Sequence, residues 1–169
     1  MIFVAGSSGS GKTTIIDSFV KRHPEFTHLR ASSVLRSLGR PTHDSSLDDL
    51  KENQNLIINF ILKHDYNHHY ILDGHMVMPV GSHNYMVPID FVVRLPLSIL
   101  IFLREDPKTI AMRRGLPTTP DNASEISRLQ EIELLHMHEA AIVKGCPLLS
   151  IAARQSKELD RWLLHYGTA

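Results

Sequence analysis

The residues best able to do chemistry stand at the front of the chain. Gly6-Ser7-Ser8-Gly9-Ser10-Gly11-Lys12-Thr13 keeps the spacing G-x-x-x-x-G-K-[ST] without a gap. Glycines at these places let the backbone curl until successive N–H groups converge on one anion. A helix opening at Lys12 would aim its positive end at the same point. A lysine there reaches the β- and γ-phosphates, and the Thr13 hydroxyl, with Thr14 next to it, lies where Mg²⁺ is held. The motif therefore predicts a loop that binds the phosphates of a nucleoside triphosphate together with Mg²⁺.

A second piece is Tyr70-Ile71-Leu72-Asp73, an apolar run that ends in a carboxylate. If the run is a buried strand, Asp73 lies at the carboxyl edge of a sheet, beside the phosphate loop, and can hold Mg²⁺ through water. A plain turn aspartate ahead of Gly74 is the other reading.

These residues need a frame. Met1 to Ala5 reads as a buried strand and Lys12 to Arg22 as a helix that His23-Pro24 ends. Phe26 to Ala31 is a strand and Ser33 to Leu38 a short helix. Arg40 to Ser45 is a loop. Ser46 with Asp49 opens a helix that runs to about Lys63, with Leu50, Ile57, Ile58 and Ile61 at helical spacing. After Tyr70 to Leu72, the stretch Gly74 to Pro88 reads as a loop carrying Met76, Met78 and Met86, and Asp90 to Leu95 as a short helix. Ser98 to Leu103 is an apolar strand, and Asp106-Pro107 begins another helix. Asn122 with Glu125 resembles a capping box for a long helix to about Lys144, closed by Gly145. Leu148 to Ala152 is a last strand. A terminal helix, Ser156 to Tyr166, sets Leu159, Trp162 and Leu163 on its apolar side. Strands separated by helices predict right-handed crossovers, a parallel sheet, and a ligand beyond the carboxyl ends of its strands.

Four stretches, in this order, resemble the adenylate-kinase-like nucleoside monophosphate kinases, and look most like their archaeal-type branch. One is the phosphate loop. Another is Ala31-Ser32-Ser33-Val34-Leu35-Arg36, similar to the segment in which a small polar residue and an arginine hold the acceptor. Leu72-Asp73-Gly74-His75 is close to the Asp-Thr-His or Asp-Gly-Phe element of that family. Phe102-Leu103-Arg104-Glu105-Asp106-Pro107, leading to Arg113-Arg114, matches the strand and helix that enter its lid. The resemblance implies a P-loop NTPase fold of three α/β/α layers, with a five-stranded parallel sheet and a short lid. The whole chain, residues 1–169, would be one kinase domain, with its acceptor-binding region at about 32–63 and its lid at about 113–123. It further implies ATP, Mg²⁺ and transfer of the γ-phosphoryl to a small acceptor of the nucleotide or nucleoside type. On this view Ser33 and Arg36 hold the acceptor, and Arg113 and Arg114 clamp the transferring phosphate or stack near the donor base. Planar guanidinium forks suit that task, and two adjacent helical arginines predict that only one faces the site. His75 would orient the acceptor or move a proton, with packing of its loop as the alternative.

The lid departs from the family. Gly115 to Asn122 contains no arginine, so it is degenerate in phosphate-binding charge, and Arg128 is the nearest substitute. An acceptor less charged than AMP would need fewer cations. So would water, which keeps a second reading open: a regulatory or assembly ATPase acting with a macromolecular partner. A GTPase switch is disfavoured because no Asn-Lys-x-Asp element follows. A mechanical ATPase subunit is disfavoured by the length of the chain.

Bulk properties narrow the field. The 169 residues are 43% hydrophobic and 21% charged, with 18 basic and 18 acidic side chains and a formal net charge of zero. That balance argues against nucleic-acid and anionic-membrane partners. The opening strand leaves no room for a signal peptide, and Phe91 to Leu103 is too short and too interrupted to span a bilayer. Cys146 is the single cysteine. Together these predict a reducing, cytoplasmic setting. Among the histidines, His64 and His68 are spaced to chelate but lack completing ligands, so surface positions are expected. His136 and His138 do not share a helical face.

Overall fold

The computed structural model describes residues 1–40, 46–63, 69–80 and 83–167. A five-stranded parallel sheet has the order β2-β3-β1-β6-β7, formed by Phe26–Arg30, His69–Gly74, Ile2–Ala5, Ile99–Arg104 and Leu148–Ala152 respectively. Alternate side chains of the central strand leave it on opposite faces. Phe3 and Ala5 join Leu72, Leu100 and Phe102 in one apolar layer, completed by α2 (Ala31–Ser37), α3 (Leu47–Lys63), α4 (Ile89–Arg94) and α6 (Pro120–Lys144). Ile2 and Val4 join Ile71, Ile99 and Ile101 in the other, beneath α1 (Lys12–Arg22) and α7 (Ser156–Gly167). Two helical layers thus enclose the sheet, and the strands run apolar through most of their length because both faces are covered.

Capping explains several boundaries. Ser46 Oγ accepts from the Asp49 amide at 3.1 Å while Asp49 Oδ2 accepts from the Ser46 amide at 3.1 Å, the reciprocal box expected at the head of α3. Asp106 Oδ2 accepts from the Thr109 amide at 2.9 Å and starts α5 (Pro107–Arg113). The head of α6 differs from the expected Asn122–Glu125 box. Thr119 is the cap, accepting from the Asn122 amide at 3.3 Å, with Pro120 in the first turn. Proline has no N–H to satisfy, so the cap lies three residues earlier than the acidic signal suggested.

The stretch expected as a loop after β3 holds an antiparallel pair, β4 (Val77–Val80) and β5 (His83–Met86). Its methionines separate. Met76 is fully buried in the core, Met78 is half-buried, and Met86 is exposed. Leu159 and Leu163 are fully buried, as the pattern of the terminal helix required, while Cys146 is only half-buried. His64, His68 and most of the expected loop 40–45 lie outside the described residues. Among the described residues no helix is long and apolar enough to cross a membrane.

Candidate active site

The carboxyl ends of β1 and β3 lie side by side, with Val4 paired to Asp73 and Ala5 to Gly74, so the turn after β1 and the carboxylate ending β3 share one edge. Gly6, Gly9 and Gly11 all take positive φ, at 149°, 82° and 91°. At Gly6 the glycine is also enforced by space: a Cβ there would stand 2.5 Å from the Leu103 carbonyl oxygen. The loop then wraps over the start of α1. Lys12 is buried, and its Nζ donates to the Gly6 carbonyl at 2.6 Å and the Ser7 carbonyl at 3.2 Å. The Ser10 hydroxyl is fully buried and has no hydrogen-bond partner among the described residues. A glycine-walled loop with an orphaned hydroxyl and a lysine at its mouth fits phosphate oxygens.

Thr13 Oγ1 donates to Asp73 Oδ2 at 2.6 Å. Burial pushes the Asp73 carboxyl up. The His28 contact, the Lys12 charge and the Thr13 hydroxyl outweigh it, so the group sits below its ordinary value and is ionised at neutral pH. A hydroxyl and an ionised carboxylate in contact form a hard oxygen set that fits Mg²⁺.

Arg113 Nη1 donates to the Gly9 carbonyl at 3.0 Å and to Glu105 Oε2 at 3.0 Å, while Arg114 Nε donates to the Ser8 carbonyl at 2.9 Å. Both therefore touch the phosphate loop, but of the two it is Arg113 that lines the cavity. The segment from Arg114 to Thr119 that joins α5 to α6 is short, and Arg128 pairs with Glu125 at 3.1 Å on the exposed side of α6, away from the loop.

His75 Nδ1 meets the Gly6 carbonyl at 2.7 Å. A carbonyl only accepts, so Nδ1 carries the proton and Nε2 is left as an acceptor. Burial, helped by the Lys12 charge, pushes the imidazole down to about 4, so it is neutral near pH 7.

One cavity of about 1110 Å³ runs from the phosphate loop, Ser8 to Thr14, past Asp73 and His75 into a chamber under α2 and α3. Arg36 lines it and donates to Ser33 Oγ at 3.1 Å. Ser33 itself is not on the wall. Ser32 is, because α2 begins at Ala31 and one helical step turns Ser33 away. The chamber walls are Leu35, Leu50, Ile57, Met78 and Phe91, together with Asn53 and Gln54. Gln54 is buried. Its Oε1 accepts from the Tyr85 hydroxyl at 3.3 Å, and its Nε2 has no partner among the described residues. At the opposite end the cavity is lined by Ala153, Arg154 and Ser156, just after β7.

Sequence reasoning passed over Glu133. It is 1% exposed on α6 and accepts from the Met76 amide at 2.9 Å. Burial pushes its carboxyl up and the Lys12 ammonium down, each toward its neutral form, while their attraction offsets part of both. A signal existed: following the buried face of α6 back from Met137 in steps of three and four lands on Glu133 and Gln130.

Comparison with known proteins agrees with this geometry. The AAA domain family matches residues 5–133. No curated protein matches the chain in sequence. Among solved structures, a shikimate kinase from Acinetobacter baumannii in complex with shikimate superposes with a TM-score of 0.60 at 15% identity, over 97% of this chain and 92% of that one. A sugar kinase from Janibacter gives 0.57 at 16%, over 98% and 92%. A gluconokinase from Sinorhizobium meliloti gives 0.55 at 16%, over 99% and 90%. At such identities the likeness is one of fold.

Proposed function

The chain belongs to the AAA domain family, and from that premise we propose that it is an ATP-dependent small-molecule kinase of the adenylate-kinase-like type. The observation that carries this reading is the single cavity joining the phosphate loop to a separate walled chamber, with Lys12, Thr13, Asp73 and His75 at the junction. A cavity of about 1110 Å³ exceeds the ~300–1,000 Å³ usual for one small ligand, and so has room for donor and acceptor together.

The residues divide the work. The loop Gly6 to Thr14 cradles the phosphates of ATP. Lys12 has three protons, two of them given to loop carbonyls, and the third is available to a phosphate oxygen. Thr13 and Asp73 would hold Mg²⁺, which when bound supplies charge neutralisation across the phosphate oxygens. Arg113 and Arg114, anchored on the loop, stand ready to meet charge on the transferring phosphoryl. His75, neutral and with Nε2 as an acceptor, orients the attacking hydroxyl rather than adding positive charge.

For the acceptor we favour a nucleoside or nucleotide. The chamber's apolar walls suit a planar base, the unpartnered Nε2 of Gln54 offers a donor to its edge, and Arg36 is placed for an anionic group. The structural neighbours act on other acceptors, shikimate and gluconate by their names, so both belong in any test. Composition, with its single cysteine, supports a cytoplasmic setting.

The segment after Arg114 contains no arginine, and this favours a second reading in which water is the acceptor and a macromolecule the stimulus. The two separate in one experiment. Purified protein is mixed with Mg-ATP, alone and with nucleosides, nucleoside monophosphates, gluconate and shikimate, and both ADP and phosphorylated acceptor are followed, with Lys12→Ala as control. ADP release that depends on one acceptor, with phosphate gained by it, supports the kinase. Release at one rate with every addition, abolished by Lys12→Ala, supports the ATPase.

A further inference from the structure

Behind Asp73 stands a line of polar groups with no part in the roles assigned so far. His28 lies on β2, which pairs with β3 so that Leu29 faces Leu72 and Arg30 faces Asp73. Its side chain is only 6% exposed. Nδ1 is 2.7 Å from Asp17 Oδ1 on α1, and the other oxygen of Asp17 takes Arg30. Nε2 points the opposite way and lies 3.4 Å from Asp73 Oδ2, the oxygen that also receives the Thr13 hydroxyl. Nε2 is fully buried and makes no well-formed hydrogen bond among the described residues; the ion-pair contact it does make is to Asp73. Thr13 and the imidazole thus both bear on the same carboxylate oxygen, Oδ2.

We propose that His28 is a positioning residue: braced by Asp17, its imidazole fixes the Asp73 carboxylate against Thr13, and so sets the orientation of the oxygens offered to a divalent cation. Asp17 is itself steadied by Arg30, so the line runs from the surface of α1 to the phosphate loop. The inference rests on the reading of Thr13 and Asp73 as the Mg²⁺ side of a nucleotide site, and it needs no phosphoryl transfer to be tested. Groups that orient a metal's ligands without touching the metal usually matter roughly 10–100-fold in metal affinity.

The test is calorimetric. ADP binding is titrated on the full chain at a series of Mg²⁺ concentrations, including none, for the wild type, His28→Ala, His28→Gln, Asp17→Ala and the double variant His28→Ala/Asp17→Ala. Melting temperatures are recorded alongside. The expected result is that His28→Ala raises the Mg²⁺ concentration needed for half-maximal enhancement of ADP binding by roughly tenfold while metal-free ADP affinity stays within about twofold. His28→Gln, whose amide nitrogen can occupy the place of Nε2, recovers part of the loss. Asp17→Ala shows a smaller loss, and adds nothing on top of His28→Ala, as expected of two members of one line. An unchanged Mg²⁺ requirement in His28→Ala overturns the positioning role and leaves the metal site standing. Equal loss of metal-free and Mg²⁺-dependent affinity, with no rescue by Gln, overturns it in favour of packing alone. If the wild type gains nothing from Mg²⁺, the metal reading of Thr13 and Asp73 fails and this proposal fails with it.

Discussion

Glu133 shows what a single residue can carry. Its carboxylate holds the Met76 amide at 2.9 Å under the phosphate loop, close enough to Lys12 and Arg114 for each to feel its charge. Glu133→Ala would leave that buried amide unpaired, take from Arg114 its counter-charge and leave Lys12 with Asp73 as its main one. A loss of about 3–5 kcal/mol in denaturant unfolding is expected, and Glu133→Gln, which keeps an acceptor for the amide, should recover much of it. Equal losses in the two variants would assign the effect to the charge, which both lack, rather than to the acceptor that Gln keeps. Glu133 was not legible as a functional position because a glutamate in a long helix is ordinarily a solvated one, and nothing local marks the exception. The positions of Lys12, Thr13 and Asp73 were legible for the opposite reason. The roles proposed for them rest on backbone that is contiguous in sequence: a curled glycine loop, a helix start, a strand end. His28 and Asp17, like Glu133, acquire meaning only through contacts with partners far along the chain.

Elements were readable where periodicity and caps agreed. The sheet and the helices α1, α3 and α7 follow from apolar spacing that the fold then buries on the expected side. The β4–β5 pair was not, since a run of His, Asn, Met and Pro lacks the β-branched alternation of a strand. Its support is tertiary: the Val87 amide donates to the Met76 carbonyl at 2.9 Å and closes the base of the hairpin. The head of α6 was misplaced by two competing cap signals, and mutagenesis tells them apart. Thr119→Ala should cost about 1 kcal/mol, whereas Glu125→Ala, in the rejected box, should cost little. A larger effect at Glu125, read by thermal or chemical unfolding, would restore the box. The turn after β1 is stricter. A methyl group at Gly6 meets the Leu103 carbonyl oxygen at 2.5 Å on top of a φ of 149°. Gly6→Ala is expected to cost more than the ~1–3 kcal/mol of backbone strain alone, and to remove nucleotide binding in calorimetry even where the chain still folds.

For the molecule as a whole, pH reports on how much polar chemistry has been buried at one edge of the sheet. The His75 imidazole is held at about 4 in the folded protein against an ordinary 6.5. Between those values the unfolded chain takes up a proton that the folded one refuses, so this group's contribution falls as pH drops from about 6.5 to 4. A shift of that size bounds the loss at about 3 kcal/mol. Asp73, held below its ordinary value, contributes stability that is present above the unfolded carboxylate range and lost as pH falls through its lower folded value. Glu133 acts in the reverse sense. Its raised value means that stability declines as pH climbs above 4.5. The sharp quantity is thus a difference: the melting temperature of wild type minus that of His75→Gln should rise from pH 4.5 to 6.5. A flat difference would show that the imidazole is accessible to protons in the folded state.

The 25-residue helix α6 also sets an order in time. Gln130 donates to the Glu105 carbonyl and accepts from its amide, both at 3.0 Å; Glu133 takes the Met76 amide; His136 Nε2 donates to the Val87 carbonyl at 2.6 Å. One rod therefore latches three turns that belong to different stretches of the chain. The amides of Met76 and Glu105 have side chains of that rod as their partners, so they gain protection from solvent exchange only after it has docked. They should trade deuterium at one common rate, the rate at which a single helix lifts from the sheet, although 29 positions separate them along the chain.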